Sequence, residues 1–130
     1  MITEYDPLQA PDPNEWLALD EAERINLVVA HHQETDEDIP DIELHAAFHV
    51  MVENQAAMGD ELPVQNTLER LMAEGLDRHN AVHAVASVLI KYLWNMGPGG
   101  EDSDSFSNDY MEEVRELTAQ KWYDDYRDME

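Results

Sequence analysis

From Leu44 to Met58 the only formally charged side chain is Glu53, and apolar residues fall on nearly every side of a helical wheel. A helix of that kind is enclosed all round and carries its polar groups into the interior. Those groups are His45, His49 and Glu53, spaced four apart. Asp41 supplies an N-cap and Gly59 a left-handed stop, which places the helix at 41–58. A second stretch behaves alike. Asp77 caps it, Lys91 is its one charge after His83, and Gly97-Pro98 ends it, so a long helix is expected over 78–96.

The other segments are one-sided. Asp12-Pro13 is an N-cap followed by a first-turn proline, which starts a short helix at 14 to about 19. Asp20-x-x-Glu23 is a capping-box variant, and Ile25, Leu27, Val28 and Val29 give the next helix a buried stripe up to His31-His32. Residues 33–40 are acidic, end in proline and read as a loop. After Pro63, Val64, Leu68, Leu71 and Met72 share one face of a helix that stops at Gly75. A final helix capped by Ser107 or Asn108 carries Tyr110, Val114, Leu117, Lys121 and Tyr126 at helical spacing. Residues 1–12, which contain Pro7 and Pro11 and are followed by Pro13, are expected to run extended across the surface, and 97–107 to form a flexible acidic loop. Nothing reads as a strand. The fold class is therefore all-α: one domain, 1–130, an antiparallel bundle of about five to six helices with two buried central helices, each carrying an HxxxH pair. Met51, Met58, Met72 and Met96 read as core filler, and Trp94 and Trp122 as bundle anchors.

Charge changes the picture of partners. Thirty acidic against seven basic residues give a net charge of -23. Phosphate backbones and anionic membranes attract lysine and arginine, so neither nucleic acid nor membrane is expected as a partner. A basic protein is the partner such a surface fits, and a solvated acidic coat that maintains solubility is the plainer reading. Cysteine is absent, which excludes thiolate metal sites and cysteine nucleophiles. No apolar run reaches the roughly 18 residues of a membrane span, and the first residues lack the basic and apolar regions of a signal peptide, so a cytoplasmic location is expected. Gly97-Pro-Gly-Gly100 is no phosphate loop, because no strand precedes it and no lysine follows.

All six histidines come in pairs: 31 and 32, 45 and 49, 79 and 83. Residues four apart on a helix have β-carbons about 5–6 Å apart on one face, close enough for both imidazoles to reach one ion. Two such pairs on two buried helices supply His45, His49, His79 and His83 as nitrogen ligands. Glu53, one turn beyond His49, is placed to be a fifth ligand, a partner to an imidazole N–H, or a general base. Imidazole and carboxylate without thiolate suit a divalent ion: zinc, iron, nickel or manganese. His31 and His32 point about 100° apart on a helix, so both are not expected to face one ion, and at least one is expected to be exposed.

The stretch from about His45 to Glu116 resembles a family of small bacterial proteins, domain of unknown function 1841. The residues that carry the resemblance are His45, His49, Glu53 with Gln55, Pro63, Glu69-Arg70-Leu71, His79, His83-Ala84 and Tyr110-Met-Glu-Glu-Val. It implies a helical bundle and brings no established activity. Members often have glutamate directly after the first histidine of the second pair, the H-E-x-x-H of zinc hydrolases. This chain has Asn80 there, and neutral asparagine takes no proton, so a zinc peptidase would need Glu53 in that role. Two readings follow. One is a metal-binding bundle. The other is a metal-free acidic interaction or inhibitor protein whose histidines form a structural polar network.

Overall fold

A computed structural model describes residues 2–34, 41–95 and 103–126, and the helices it contains match the reading of an all-α bundle. In order they are α1 (Pro13–Ala18), α2 (Glu21–Glu34), α3 (Ile42–Ala57), a 3-10 turn (Gly59–Glu61), α4 (Val64–Ala73), α5 (Arg78–Asn95), α6 (Ser103–Glu116) and α7 (Ala119–Lys121), the last running into a π turn (Trp122–Tyr126). Their ends follow from local chemistry. The Asp12 carboxylate accepts from Glu15 N–H, Asp20 from Glu23, Asp41 from Leu44 and Asp77 from Asn80, each satisfying an N–H that the first turn leaves without a carbonyl. Asp41 does this from a left-handed backbone, φ 52°. At the other ends, Gly59 (φ 64°) follows α3 and Gly75 (φ 112°) follows α4, in conformations that a side chain resists.

Helix α5 is the axis of the larger core. Ala81, Val82, Ala84, Val85, Ala86, Val88 and Leu89 are all buried, against Phe48, Val52 and Ala56 of α3, Val64, Leu68 and Leu71 of α4, and Tyr110 and Val114 of α6. Three of the α5 residues, Val82, Val85 and Val88, are valines, which cost a helix at most about 0.7 kcal/mol each relative to alanine. Burying each returns about 1.5–3 kcal/mol, so packing decides the conformation of α5. A smaller core joins Tyr5, Trp16 of α1, Val28 of α2, and Ala46 and Val50 of α3. Helix α3 thus feeds both cores, and its third stripe, His45, His49 and Glu53, lies at the seam between them.

Several expectations are corrected. Helix α3 is not enclosed all round: Leu44 and Met51 are 43% and 38% exposed, and Met58 is exposed beyond its end. Met51 and Met58 are therefore not core filler, whereas Met72 packs on the large core; Met96 and the Trp94 side chain lie outside the described residues. The last helix begins at Ser103, within the stretch expected to be loop, and breaks at Leu117–Thr118. The break has a cause: the Thr118 hydroxyl caps Lys121 N–H, and Ala119 N–H is held by Glu74 Oε1 of the α4 end at 2.8 Å. The rest of the expected 97–107 loop lies outside the described residues. Among its described residues the N-terminal segment carries no helix before Pro13 but turns at Asp6–Gln9, where Gln9 N–H donates to the Asp6 carbonyl, and it does more than cross the surface, because Tyr5 and Pro7 are buried against α3 and α5.

Candidate metal centre

Helices α3 and α5 run antiparallel: His45 lies beside His83, and eight residues further along α3, Glu53 meets Arg78 at the start of α5. Spacing by four puts His45 and His49 on one face of α3, and His79 and His83 on one face of α5, and those faces meet. His49 Nε2 and His83 Nε2 are 3.0 Å apart. Helix α2 closes the third side, with the His32 ring 4.7 Å from that of His45 and 4.9 Å from that of His49. Two groups of three converge: His45, His49 and His83, and His32, His49 and His79, each offering ring nitrogens that all lie within 4.8 Å of one another. The structure therefore brings together the four histidines expected from the sequence and adds His32.

His31 and His32 depart from expectation. His32 is 1% exposed, His31 is partly buried, and their rings are 5.3 Å apart and nearly perpendicular. Backbone direction separates adjacent residues by 100°, but two side-chain torsions on each residue bring both rings into the cluster. The place of His32 near the end of α2 gives little sign of burial. Its only sequence signal is that it lies four residues beyond Val28, on the buried stripe.

Glu53 is 1% exposed and belongs to neither group of three, being held instead by Arg78 and Tyr5. Arg78 donates to both carboxylate oxygens, Nη2 to Oε1 at 2.7 Å and Nη1 to Oε2 at 2.8 Å, and also to the Pro7 carbonyl at 3.1 Å. The Tyr5 hydroxyl donates to Oε2 at 2.6 Å and sits 3.2 Å from His49 Nδ1. Since its one proton goes to Glu53, the Tyr5 oxygen must accept from His49 Nδ1–H. That fixes the His49 tautomer and leaves its Nε2 lone pair aimed at His83. A carbonyl fixes His32 the same way: Val28 O accepts from His32 Nδ1 at 2.9 Å, so Nε2 carries the lone pair. Tyr5 and Arg78 escape detection in the sequence because their partners are 44 and 25 residues away. A lone aromatic in a polar, proline-bounded segment is the one signal Tyr5 gives.

The electrostatics favour neutral rings at His49 and His83. Burial, and then the neighbouring His83, His45, His32 and His79, push the His49 pKa well below the usual histidine value. Burial, followed by His79, His45 and His32, pushes His83 down to about 3. Burial, together with the Glu53 charge, pushes Tyr5 well above the ordinary phenol value, so it stays protonated. Burial acts against the charge of Arg78, but the hydrogen bonds and charge of Glu53 prevail and keep it a cation.

Three imidazoles that share an ion have ring centroids about 5.1–5.5 Å apart, given a metal–nitrogen bond of about 2.0–2.1 Å. The rings of His45, His49 and His83 are separated by 4.9, 5.1 and 5.0 Å. Those of His32, His49 and His79 are separated by 4.9, 5.2 and 5.9 Å. The first triangle fits an ion with shifts of a few tenths of an ångström, and the second is wider on one side. Compared with known proteins, the chain matches no family model, no curated protein and no solved structure. Among the described residues, no helix is long and apolar enough to cross a membrane.

Proposed function

We propose that the protein binds a transition-metal ion between α2, α3 and α5, with His45, His49 and His83 as its first seat. The observation that carries this reading is the near-equal triangle of those three rings, within a few tenths of an ångström of the separation a shared ion demands, with ring nitrogens that converge. Glu53 acts through Tyr5, orienting His49 as carboxylates commonly orient metal-bound histidines. With Glu53 engaged by Arg78, the donors left are neutral nitrogens, which suit zinc, nickel, copper or iron better than manganese. The four histidines that carry the resemblance to domain of unknown function 1841, His45, His49, His79 and His83, lie within the cluster.

Zinc titrated into untagged, chelator-treated protein tests this reading. Binding that requires the folded site raises the melting temperature, by an amount equivalent to about 2.7 kcal/mol at a hundredfold excess over Kd. His49→Ala and His83→Ala should lose more stability with zinc present than with chelator. Equal losses in both conditions favour the metal-free network. That rival has its own observation, the 3.0 Å contact between His49 and His83, which serves as a hydrogen bond when no ion is bound.

A further inference from the structure

His49 is common to the two groups of converging nitrogens, His45, His49 and His83, and His32, His49 and His79. Its ring neighbours all four others, at centroid separations of 4.9 Å from His45 and from His32, 5.0 Å from His83 and 5.2 Å from His79. With its Nδ1 committed to Tyr5, His49 has one lone pair to give, so the two groups are alternative seats for a single ion. Passage from the first to the second exchanges His45 for His32 and His83 for His79. The members of each couple stand close together, His32 and His45 at 4.7 Å and His79 and His83 at 4.4 Å. Each incoming ring is thus beside the one it displaces. Zinc takes four ligands and sometimes five, so a seat of three histidines leaves room for the newcomer before the old bond breaks.

We propose that the cluster is a relay, in which one transition-metal ion passes between the two seats while His49 stays bound to it throughout. The proposal rests on the metal reading above and adds to it the second seat, on His32, His49 and His79. The His32 tautomer agrees, since the Val28 carbonyl leaves Nε2 as its donor atom. With 5.9 Å between His32 and His79 the second seat is the wider and holds the ion more weakly. Each seat includes at least one partly buried ring, His45 and His83 in the first and His79 in the second, so neither is sealed from the surface. A static structural ion needs one set of ligands. Two overlapping sets of neutral nitrogens, with Glu53 already neutralised by Arg78, suit an ion that is cargo, taken up at one seat and given up from the other.

Zinc is counted per chain by equilibrium dialysis in 1 M salt, which weakens binding to the acidic surface, and its release to a chromophoric chelator is timed. Metal-free melting temperatures show which variants fold. The wild type is expected to bind one ion. His83→Ala and His45→Ala each remove the first seat and should still bind one ion, more weakly. His79→Ala removes the second seat and should also bind one, whereas the double variant of His79→Ala and His83→Ala breaks both seats and should bind none. Release from His79→Ala should be severalfold slower than from the wild type, because the route through the second seat is gone. A ring that only packed there would, on removal, admit water and speed release. A folded His83→Ala, His45→Ala or His79→Ala that binds no zinc overturns the pair of seats and leaves the metal reading standing. An ion kept by the double variant overturns the assignment of His79, and two ions in the wild type overturn the sharing of His49. Release from His79→Ala as fast as from the wild type, or faster, overturns the relay. No ion in the wild type overturns the relay and the metal reading together.

Discussion

His49 shows how one side chain acquires its chemistry from distant neighbours. Its ring is placed by helical spacing, but the nitrogen it presents is chosen by Tyr5, whose proton is claimed by Glu53. Tyr5→Phe removes that hydroxyl while keeping the ring. His49 Nδ1 and one Glu53 oxygen then lose a buried partner, at a cost of about 1–3 kcal/mol in chemical denaturation. Zinc affinity should fall about 10–100-fold, the usual effect of losing a group that orients a metal-bound histidine. A Tyr5→Phe protein with unchanged affinity would mean that packing alone orients His49. The four histidines at i,i+4 were legible in the sequence because spacing on one helix dictates their shared face. His32, Tyr5 and Arg78 were not, because each joins the site through a contact that only tertiary packing creates.

Among the elements, α3 and α5 were legible from their low charge, their caps and their glycine stops, and their antiparallel pairing from an intervening helix and loops long enough to reverse the chain. What the pattern could not show is that α3 serves two cores and leaves Leu44 and Met51 outside both, since an apolar side chain does not declare which neighbour will cover it. The break after α6 was likewise hidden, because it depends on Glu74 arriving from α4. The Glu53–Arg78 pair fastens α3 to the first turn of α5, with the two side chains 1% and 5% exposed. Glu53→Gln leaves a buried guanidinium without its counter-charge and should destabilise the fold by about 3–5 kcal/mol. The double change Glu53→Gln with Arg78→Met should cost less than the two single changes summed, because no buried charge is then stranded. Additive losses in urea unfolding would show that the two residues stabilise the helices independently.

At the scale of the whole molecule, acidity and the histidine cluster pull stability in different directions with pH. Folded His49 and His83 hold protons less tightly than their unfolded forms, whose pKa is about 6.5. The unfolded chain therefore binds more protons as the solution acidifies. Stability from these groups is full above about pH 6.5 and declines from there toward the folded value, about 3 for His83, by about 1.4 kcal/mol per pH unit for each histidine. The carboxylates oppose this mostly below about pH 5, where protonation relieves the repulsion of a chain carrying -23. In 1 M salt, where that repulsion is screened, the melting temperature of metal-free protein should fall between pH 7 and 5.5. A flat or rising profile would mean that the rings are charged in the folded state. The N-terminal segment adds a consequence in time. Tyr5 bonds His49 and Glu53 of α3, and the Pro7 carbonyl accepts from Arg78 of α5, so the segment is fully seated only where α3 and α5 lie side by side. This strap is therefore expected to release before the large core unfolds, because its described residues carry no helix and lie outside that core. Removing residues 1–10 should leave the large core folded while the histidines become reactive to an acylating reagent at rates nearer those of free imidazole, so the strap sets how long the cluster stays shut.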